Sequence, residues 1–327
     1  MKNKILALTL IGFLGLYLAP TLLASSQGDA HRVYPEFRPT PATDVEIVQK
    51  VSLPGKGRPD KPGKPPKPSQ PAAATGILGD PVAGRRYAII IGISDYPGIG
   101  SDLNYTDNDA LATRNVLVNK YNFNDTNIYL LTDGETAASH SSIVDGSPTY
   151  ATIADAVADL KYNKGLTSDD EVVFFFSGHG AKGKADDGDK EKIDEAIITH
   201  NDSNTNFVYI WDGDLQNWFS NFPTQRIIFI FDSCISGGMT DLADTGRVIN
   251  MATEETGFNT AVEGIYNGIG AGEFTYYFVI KGIGKGLADT TPIDDQVTVE
   301  EAFDYTKANT NYDHPTISDK FENDLLL

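Results

Sequence analysis

The sequence contains very little cysteine, because Cys234 is the only cysteine among 327 residues. One thiol forms no internal disulfide and no cysteine-based metal site, so the chain is neither a disulfide scaffold nor a zinc finger. A single free cysteine usually packs as a small buried hydrophobic residue. Its surroundings in the sequence must therefore decide whether Cys234 takes part in chemistry.

Positive charge is scarce in most of the chain. The formal net charge is −19, and residues 87–327 carry only 14 basic side chains against 39 acidic ones. Nucleic-acid binding depends on clustered Lys and Arg, so this composition excludes it and favours cationic substrates and divalent metals instead. No paired carboxylates and no G-x-S-x-G motif follow a predicted strand, so glycosidase and esterase chemistry have no support.

The N-terminus has the pattern of an export signal. Lys2 and Lys4 precede an apolar run over residues 5–24, which is typical of a secretory signal or an uncleaved anchor. We expect residues 1–24 to direct the protein out of the cytoplasm, as a secreted or periplasmic protein, and to be its one membrane contact. Residues 25–84 are rich in proline and lysine, which predicts a disordered linker before a folded domain at 85–327.

Strand and helix signals alternate through residues 85–327. Continuous apolar runs rich in β-branched and aromatic residues are typical of strands that are buried on both faces. Helical periodicity between these runs predicts an α/β fold, with a mostly parallel central sheet flanked by helices on both faces. The predicted strands are 87–94, 127–132, 171–176, 195–200 and 226–231, and the predicted helices are 107–118, 149–160 and 215–222.

Two of these strands end in reactive residues. His179 lies between two glycines after the strand at 171–176, and Cys234 follows the strand at 226–231. Ligands bind at the carboxyl ends of parallel strands, where a thiolate could attack a carbonyl while an imidazole moves protons. The backbone N–H groups of Gly180 and Cys234 are the predicted oxyanion donors. A tight turn and a core cysteine would explain each feature alone, but their matching positions favour the catalytic interpretation.

Five segments in a fixed order resemble the caspase-like cysteine peptidases, and among them the metacaspases most closely. These segments are YAIIIGIS, LNYTDNDA, FFFSGHG, DEAIITHND and RIIFIFDSCISGGM. The resemblance covers about residues 85–327 and implies a caspase-like (caspase-hemoglobinase) fold and a cysteine endopeptidase. His179 then matches the catalytic base and Cys234 the nucleophile, and the chemistry requires no cofactor.

The resemblance also implies a substrate preference. Asp109 and Asp232 match the aspartates through which metacaspases select Arg or Lys before the scissile bond. A pair of carboxylates would bind a cationic side chain and repel an acidic one. Asp109 is equally explained as a carboxylate favoured at a helix N-terminus. The expected partners are protein or peptide substrates with basic residues.

Calcium is the expected activator, since some members of the family need it. The resemblance points to four carboxylates as ligands, and solvated acidic loops are the alternative explanation. Gly213 stands where the family commonly carries a second acidic residue, and the loop at 186–189 lacks the EF-hand pattern. The four predicted ligands are Asp194, Asp212, Asp214 and Asp241.

Two other functions remain open from the sequence. Ile235 follows the cysteine where metacaspases usually have His, and the SGGM segment also resembles the legumain branch, whose members cleave after Asn. A catalytically silent caspase-like binding module is the second alternative. A catalytic Cys234 should have a depressed pKa and react quickly with alkylating reagents, whereas a structural one should not. An enzyme specific for Arg or Lys would also cleave itself, and the expected sites are Arg85-Arg86 and the lysines at 182, 184, 190 and 192.

Overall fold

The structure is a computed structural model that describes residues 35–54, 71–98, 100–188, 191–266 and 269–327. The predicted export signal at 1–24 lies outside these residues, as does His31. Within the described residues, no helix has both the length and the apolar character needed to cross a membrane.

A six-stranded sheet forms the centre of the fold. Its strand order is β13-β10-β9-β5-β3-β4. Neighbouring strands from β10 to β4 run parallel, and β13 pairs antiparallel at one edge. This confirms the predicted mostly parallel sheet. The strands are β3 (Arg86–Gly92), β4 (Ile128–Thr132), β5 (Glu171–Ser177), β9 (Ile227–Asp232), β10 (Arg247–Met251) and β13 (Thr316–Asp319).

Helices cover both faces of this sheet because its central strands are apolar on both sides. In β5, Phe174 and Phe176 pack on one face, while Val173 and Phe175 pack on the other. The first face carries α3 (Tyr150–Tyr162) and α4 (Asp212–Phe219), and the second carries α1 (Thr106–Tyr121) and α6 (Val299–Asn309). The remaining helices are α2 (Gly134–Ser139) and α5 (Glu273–Thr275), which continues as a π-helix over Tyr276–Ile283.

Two smaller sheets lie beside the central one. The first is antiparallel, with the order β1-β6-β7-β8, and the second has the order β12-β11-β2. Their strands are β1 (Ala42–Val48), β2 (Val51–Leu53), β6 (Gly180–Ala185), β7 (Asp194–His200), β8 (Phe207–Trp211), β11 (Thr260–Glu263) and β12 (Gly270–Gly272).

Strands β1 and β2 correct the predicted boundary of the folded domain. Both lie within residues 25–84, where the composition predicts a disordered linker. Val45 and Ile47 of β1 alternate with polar residues and pack against the core, so this stretch buries apolar surface as an edge strand does. Residues 73–76 also bind the domain, since backbone N–H groups there donate to Asp304 and Asp324. Averaging the composition over the proline-rich neighbours hides this alternation.

Candidate active site

His179 and Cys234 meet at one edge of the central sheet. Strands β5 and β9 are parallel neighbours, and their last residues, Ser177 and Asp232, are register partners. His179 and Cys234 each lie two residues beyond those partners. The shared register therefore delivers the imidazole and the thiol to the same place.

The His179 ring is held in one tautomer by its two hydrogen bonds. Nε2 lies 2.8 Å from the carbonyl oxygen of Ser101, and Nδ1 lies 3.1 Å from the backbone nitrogen of Lys50. A carbonyl only accepts and an amide N–H only donates, so Nε2 carries the proton and Nδ1 is the free base. Tyr96 packs on the ring with centroids 4.7 Å apart. Burial lowers the pKa of His179 to about 4.

The Cys234 thiol is also enclosed. The backbone N–H of Asn259 donates to Sγ at 3.0 Å, and the thiol donates to the carbonyl oxygen of Gln49 at 3.4 Å. Burial raises the pKa of Cys234 to about 11, although the Asn259 N–H acts in the opposite direction. The thiol and the imidazole are therefore both neutral in this state. This differs from the depressed cysteine pKa that the sequence led us to expect, because other backbone covers the pair.

Gly180 begins β6 directly beside the thiol residue. A Cβ atom at position 180 would lie 2.2 Å from the carbonyl oxygen of Cys234, so only glycine allows this approach. In β6 its register partners are Val48 of β1 and Ile197 of β7. The close contact places Gly180 at the candidate site, and its role as an oxyanion donor stays a prediction.

Asp109 and Asp232 form one buried acidic pocket, although 123 positions separate them in the sequence. The Asp109 carboxylate accepts the N–H of Gly272 at 3.0 Å, and Asp232 accepts the N–H of Thr275 at 2.9 Å. A Cβ at position 272 would lie 2.2 Å from Asp232 Oδ2 and 2.9 Å from Asp109 Oδ2. Sequence analysis gave Gly272 and Thr275 no role, yet they hold the two carboxylates together.

Lys50 fills this pocket, although no sequence pattern indicates it. Its Nζ lies 2.8 Å from Asp232 Oδ1, 3.1 Å from the Ser177 hydroxyl and 3.8 Å from Asp109 Oδ2. The side chains of Lys50, Asp109 and Asp232 are fully buried. Burial lowers the pKa of Lys50, but the attraction of the two aspartates outweighs it and leaves the pKa above its ordinary value. Burial raises the pKa of Asp109 to about 7 against the opposing effect of Lys50.

The predicted metal ligands are only partly brought together. Carboxylate oxygens of Asp187, Asp194 and Asp212 lie within 4.8 Å of one another, and so do those of Glu191, Glu195 and Asp212. Asp214 instead accepts hydrogen bonds from Thr40 and from the backbone of Trp211 at the start of α4. Asp241 belongs to neither group, although its charge contributes to the raised pKa values of Glu195 and Asp212.

Asp187 takes up the space that Gly213 leaves. A Cβ at position 213 would lie 2.6 Å from Asp187 Cγ, so a carboxylate from another loop occupies the place of the acidic residue missing at 213. Asp212 Oδ2 and Glu195 Oε2 are buried without a hydrogen-bond partner. Burial raises the pKa of Asp212 to about 9 and that of Glu195 to about 8. Buried carboxylate oxygens of this kind fit a hard divalent cation.

A thiol and an imidazole lie at neighbouring strand ends beside a buried acidic pocket, which is the arrangement expected of a caspase-like cysteine peptidase. Residues 86–243 match the family model of the metacaspase, peptidase C14 domain. The match covers 158 of the 327 residues, so the chain carries a region similar to the metacaspase peptidase domain.

Three curated relatives illustrate the similarity. Metacaspase-4 of Arabidopsis thaliana is 33% identical over 161 residues, which cover 48% of this chain and 35% of that protein. Metacaspase-6 of the same plant is 34% identical over 161 residues, covering 48% of this chain and 40% of the relative. Metacaspase-1 of Pyricularia oryzae is 32% identical over 162 residues, covering 49% and 38%. The matches thus span well under half the length of these relatives.

A solved structure supports the fold alone. The crystal structure of a protein from Geobacter sulfurreducens matches with a TM-score of 0.50 at 13% sequence identity, covering 74% of this chain and 95% of that one. This agrees with the mixed α/β architecture and the mainly parallel central sheet.

Proposed function

We propose that this chain is a cysteine endopeptidase that cleaves peptide bonds after Arg or Lys. The observation that carries the proposal is the Lys50 ammonium, buried beside Cys234 and 2.8 Å from Asp232. A pocket that binds a lysine of the chain itself has the charge and the hydrogen-bond acceptors to bind the same side chain of a substrate. A neutral Asn would leave the buried carboxylates without a counter-ion, which disfavours the legumain-like alternative.

The reaction follows from the placement of the groups once the cleft is open. His179 Nδ1 takes the proton of the Cys234 thiol, and the thiolate attacks the carbonyl carbon of the basic residue itself. The N–H groups of Gly180 and Cys234 stabilise the oxyanion. His179 then returns its proton to the leaving amine as the C–N bond breaks, and water hydrolyses the thioester to release the acid and the thiol.

Peptide hydrolysis tests this assignment. Fluorogenic peptides ending in Arg, Lys, Asn or Asp are offered to the full chain, to Cys234→Ala, to His179→Ala and to the exposed-site control His140→Ala. We expect turnover after Arg and Lys that both site variants abolish and the control retains. Cleavage after Asn alone would assign the chain to the legumain branch, and no turnover of any peptide would favour the silent binding module.

We propose calcium as an activator that binds at Asp187, Asp194, Asp212 and Glu195. Calcium would supply positive charge that permits these buried carboxylates to ionise together, and binding would order the loops that carry them. It takes no part in the peptide-bond chemistry. Calcium should raise the melting temperature, and Asp212→Asn should remove most of that rise, while the exposed control Asp202→Asn should keep it. An equal rise in both variants would contradict the site.

We also propose that residues 1–24 export the protein to a secreted or periplasmic location. The basic start and the apolar run support this function. The test is fusion of residues 1–24 to a reporter enzyme that is active only outside the cytoplasm, beside a second fusion in which Glu replaces both Lys2 and Lys4. We expect reporter activity from the first fusion and less from the second. An inactive reporter in both fusions would contradict export.

Self-cleavage at the basic residues named from the sequence stays a prediction. Lys182 and Lys184 lie inside β6, between β1 and β7, so cleavage there requires the sheet to open. Arg85 is paired with Asp170 at 3.0 Å. Mass spectrometry of the incubated enzyme beside Cys234→Ala would locate any cleavage, and an unchanged intact mass would contradict it.

A further inference from the structure

Residues 49–53 lie in the cleft that a substrate must enter. Lys50 occupies the acidic pocket, Gln49 contacts the thiol, and β2 pairs with β11 along the edge of the site. The segment leaves Cys234 only 1% exposed and His179 equally so. A peptide substrate would have to replace every one of these contacts.

The register of the segment is wrong by one residue for cleavage after Lys50. Cleavage there requires the Lys50 carbonyl at Sγ and the nitrogen of Val51 at the His179 base, because that nitrogen becomes the leaving amine. The observed contacts are different. Sγ contacts the Gln49 carbonyl, and His179 Nδ1 contacts the nitrogen of Lys50 itself.

The Val51 nitrogen forms a hydrogen bond away from His179. Its N–H donates to the carbonyl oxygen of Asn259 at 3.1 Å, and Val51 runs parallel to Thr260 of β11. The peptide bond that lies between thiol and imidazole is therefore Gln49–Lys50, whose carbonyl belongs to an uncharged residue. The pocket therefore binds the residue on the leaving-group side of this bond, whereas cleavage after Lys50 would require the pocket residue to carry the attacked carbonyl.

We propose that residues 49–53 are an inhibitory plug that binds the cleft one residue out of register, so that the enzyme is activated by displacing the segment and not by cutting after Lys50. This inference rests on the proposed function of the same pocket. Strand β1 explains how the plug is held, since its last residue, Val48, pairs with Gly180 and lies against Cys234 and Ile235. A lysine two residues further on is thereby fixed at the pocket.

Two variants of the full chain release the plug in different ways. Lys50→Ala removes the charge that the pocket binds. Val51→Pro removes the N–H that donates to Asn259, and Val51 is 43% exposed, so the change of side chain loses little packing. Proline after Lys50 also makes the bond resistant to cleavage, so activation of this variant reports displacement alone. The control is Lys164→Ala, which removes a partly exposed lysine that pairs with Asp159, outside β1 and β6.

The first readout is the rate at which iodoacetamide alkylates Cys234, which needs no peptidase activity. We expect an increase of about tenfold or more in both plug variants, equivalent to about 1.4 kcal/mol, and no change in the control. Val51→Pro retains the Lys50 side chain as a counter-ion for the two buried carboxylates. It therefore still tests the plug if Lys50→Ala fails to fold. Unchanged alkylation in a folded plug variant would overturn the plug.

The second readout separates the plug from the function. Hydrolysis of Arg and Lys peptides should rise in parallel with alkylation. Faster alkylation without any hydrolysis would support the plug and contradict the proposed peptidase. Intact mass of the wild-type chain should show the Lys50–Val51 bond uncut, and cleavage there at a rate independent of enzyme concentration would overturn the out-of-register placement.

Discussion

Replacing Asp232 with Asn tests the acidic pocket directly. The change keeps the size of the side chain and removes the charge that lies 2.8 Å from the bound ammonium. Truncating one partner of a buried charge pair costs about 2–5 kcal/mol. Asp109 still lies 3.8 Å from the ammonium, so we expect the lower part of that range, about 2–3 kcal/mol, which is about 30- to 150-fold in kcat/KM.

The assay compares substrates that differ only in charge. In the Lys50→Ala background, kcat/KM is measured for peptides ending in Arg, Lys and the uncharged lysine analogue norleucine, with and without Asp232→Asn. The Arg and Lys values should fall while norleucine changes little. Asp244→Asn, at an exposed carboxylate outside the pocket, is the matched control. An equal fall for all three peptides would refute the electrostatic argument and indicate damage to the neighbouring Cys234 instead.

Three further predictions follow from buried contacts. Gly272→Ala should lower kcat/KM for Arg and Lys peptides by about tenfold or more, because the added Cβ would clash with Asp232. The control is Gly146→Ala, where a Cβ would have space, and full activity of Gly272→Ala would contradict the prediction. Asp313→Ala removes the carboxylate that accepts hydrogen bonds from Asn259 and Thr260, and it should lower the free energy of unfolding by about 2–4 kcal/mol because these buried donors lose their acceptor. Urea denaturation measures this change, and a loss under about 0.5 kcal/mol would contradict the prediction. Burial raises the pKa of Glu300 to about 8, so between about pH 5 and pH 8 the folded state holds a proton that the unfolded state has lost, and the free energy of unfolding should fall as the pH rises. Glu300→Gln should make this fall smaller when unfolding by urea is measured across that pH range. The same pH dependence in both proteins would contradict the prediction.

The core of the fold was predictable because its signals are local. Apolar runs such as Glu171–Ser177 can only be strands buried on both faces, and parallel pairing then brings His179 and Cys234 to one edge. The adjacency of the two residues also requires β5 and β9 to be neighbours in the sheet, which the structure shows and local signals do not specify.

The plug was not predictable because its contacts are distant. Lys50 and Asp232 are 182 positions apart, and Lys50 lies next to a proline-rich stretch whose composition suggests no structure. By contrast, the position of Asp214 was within reach of local reasoning. An acidic residue three places into a helix commonly binds the free N–H groups there, and Asp214 does so for Trp211.

Strand β1 makes the plug a tethered competitor. Its pairing with β6 keeps Lys50 next to the pocket at an effective concentration that, for closely linked segments, is on the order of millimolar. A free peptide at micromolar concentration cannot displace it by mass action. Release of the plug therefore depends on how firmly β1 is attached to β6. Two exposed ion pairs join these strands, Glu46 with Lys182 and Asp44 with Lys184, and both weaken as ionic strength rises. The enzyme would respond to forces on its N-terminal strand rather than to the supply of substrate.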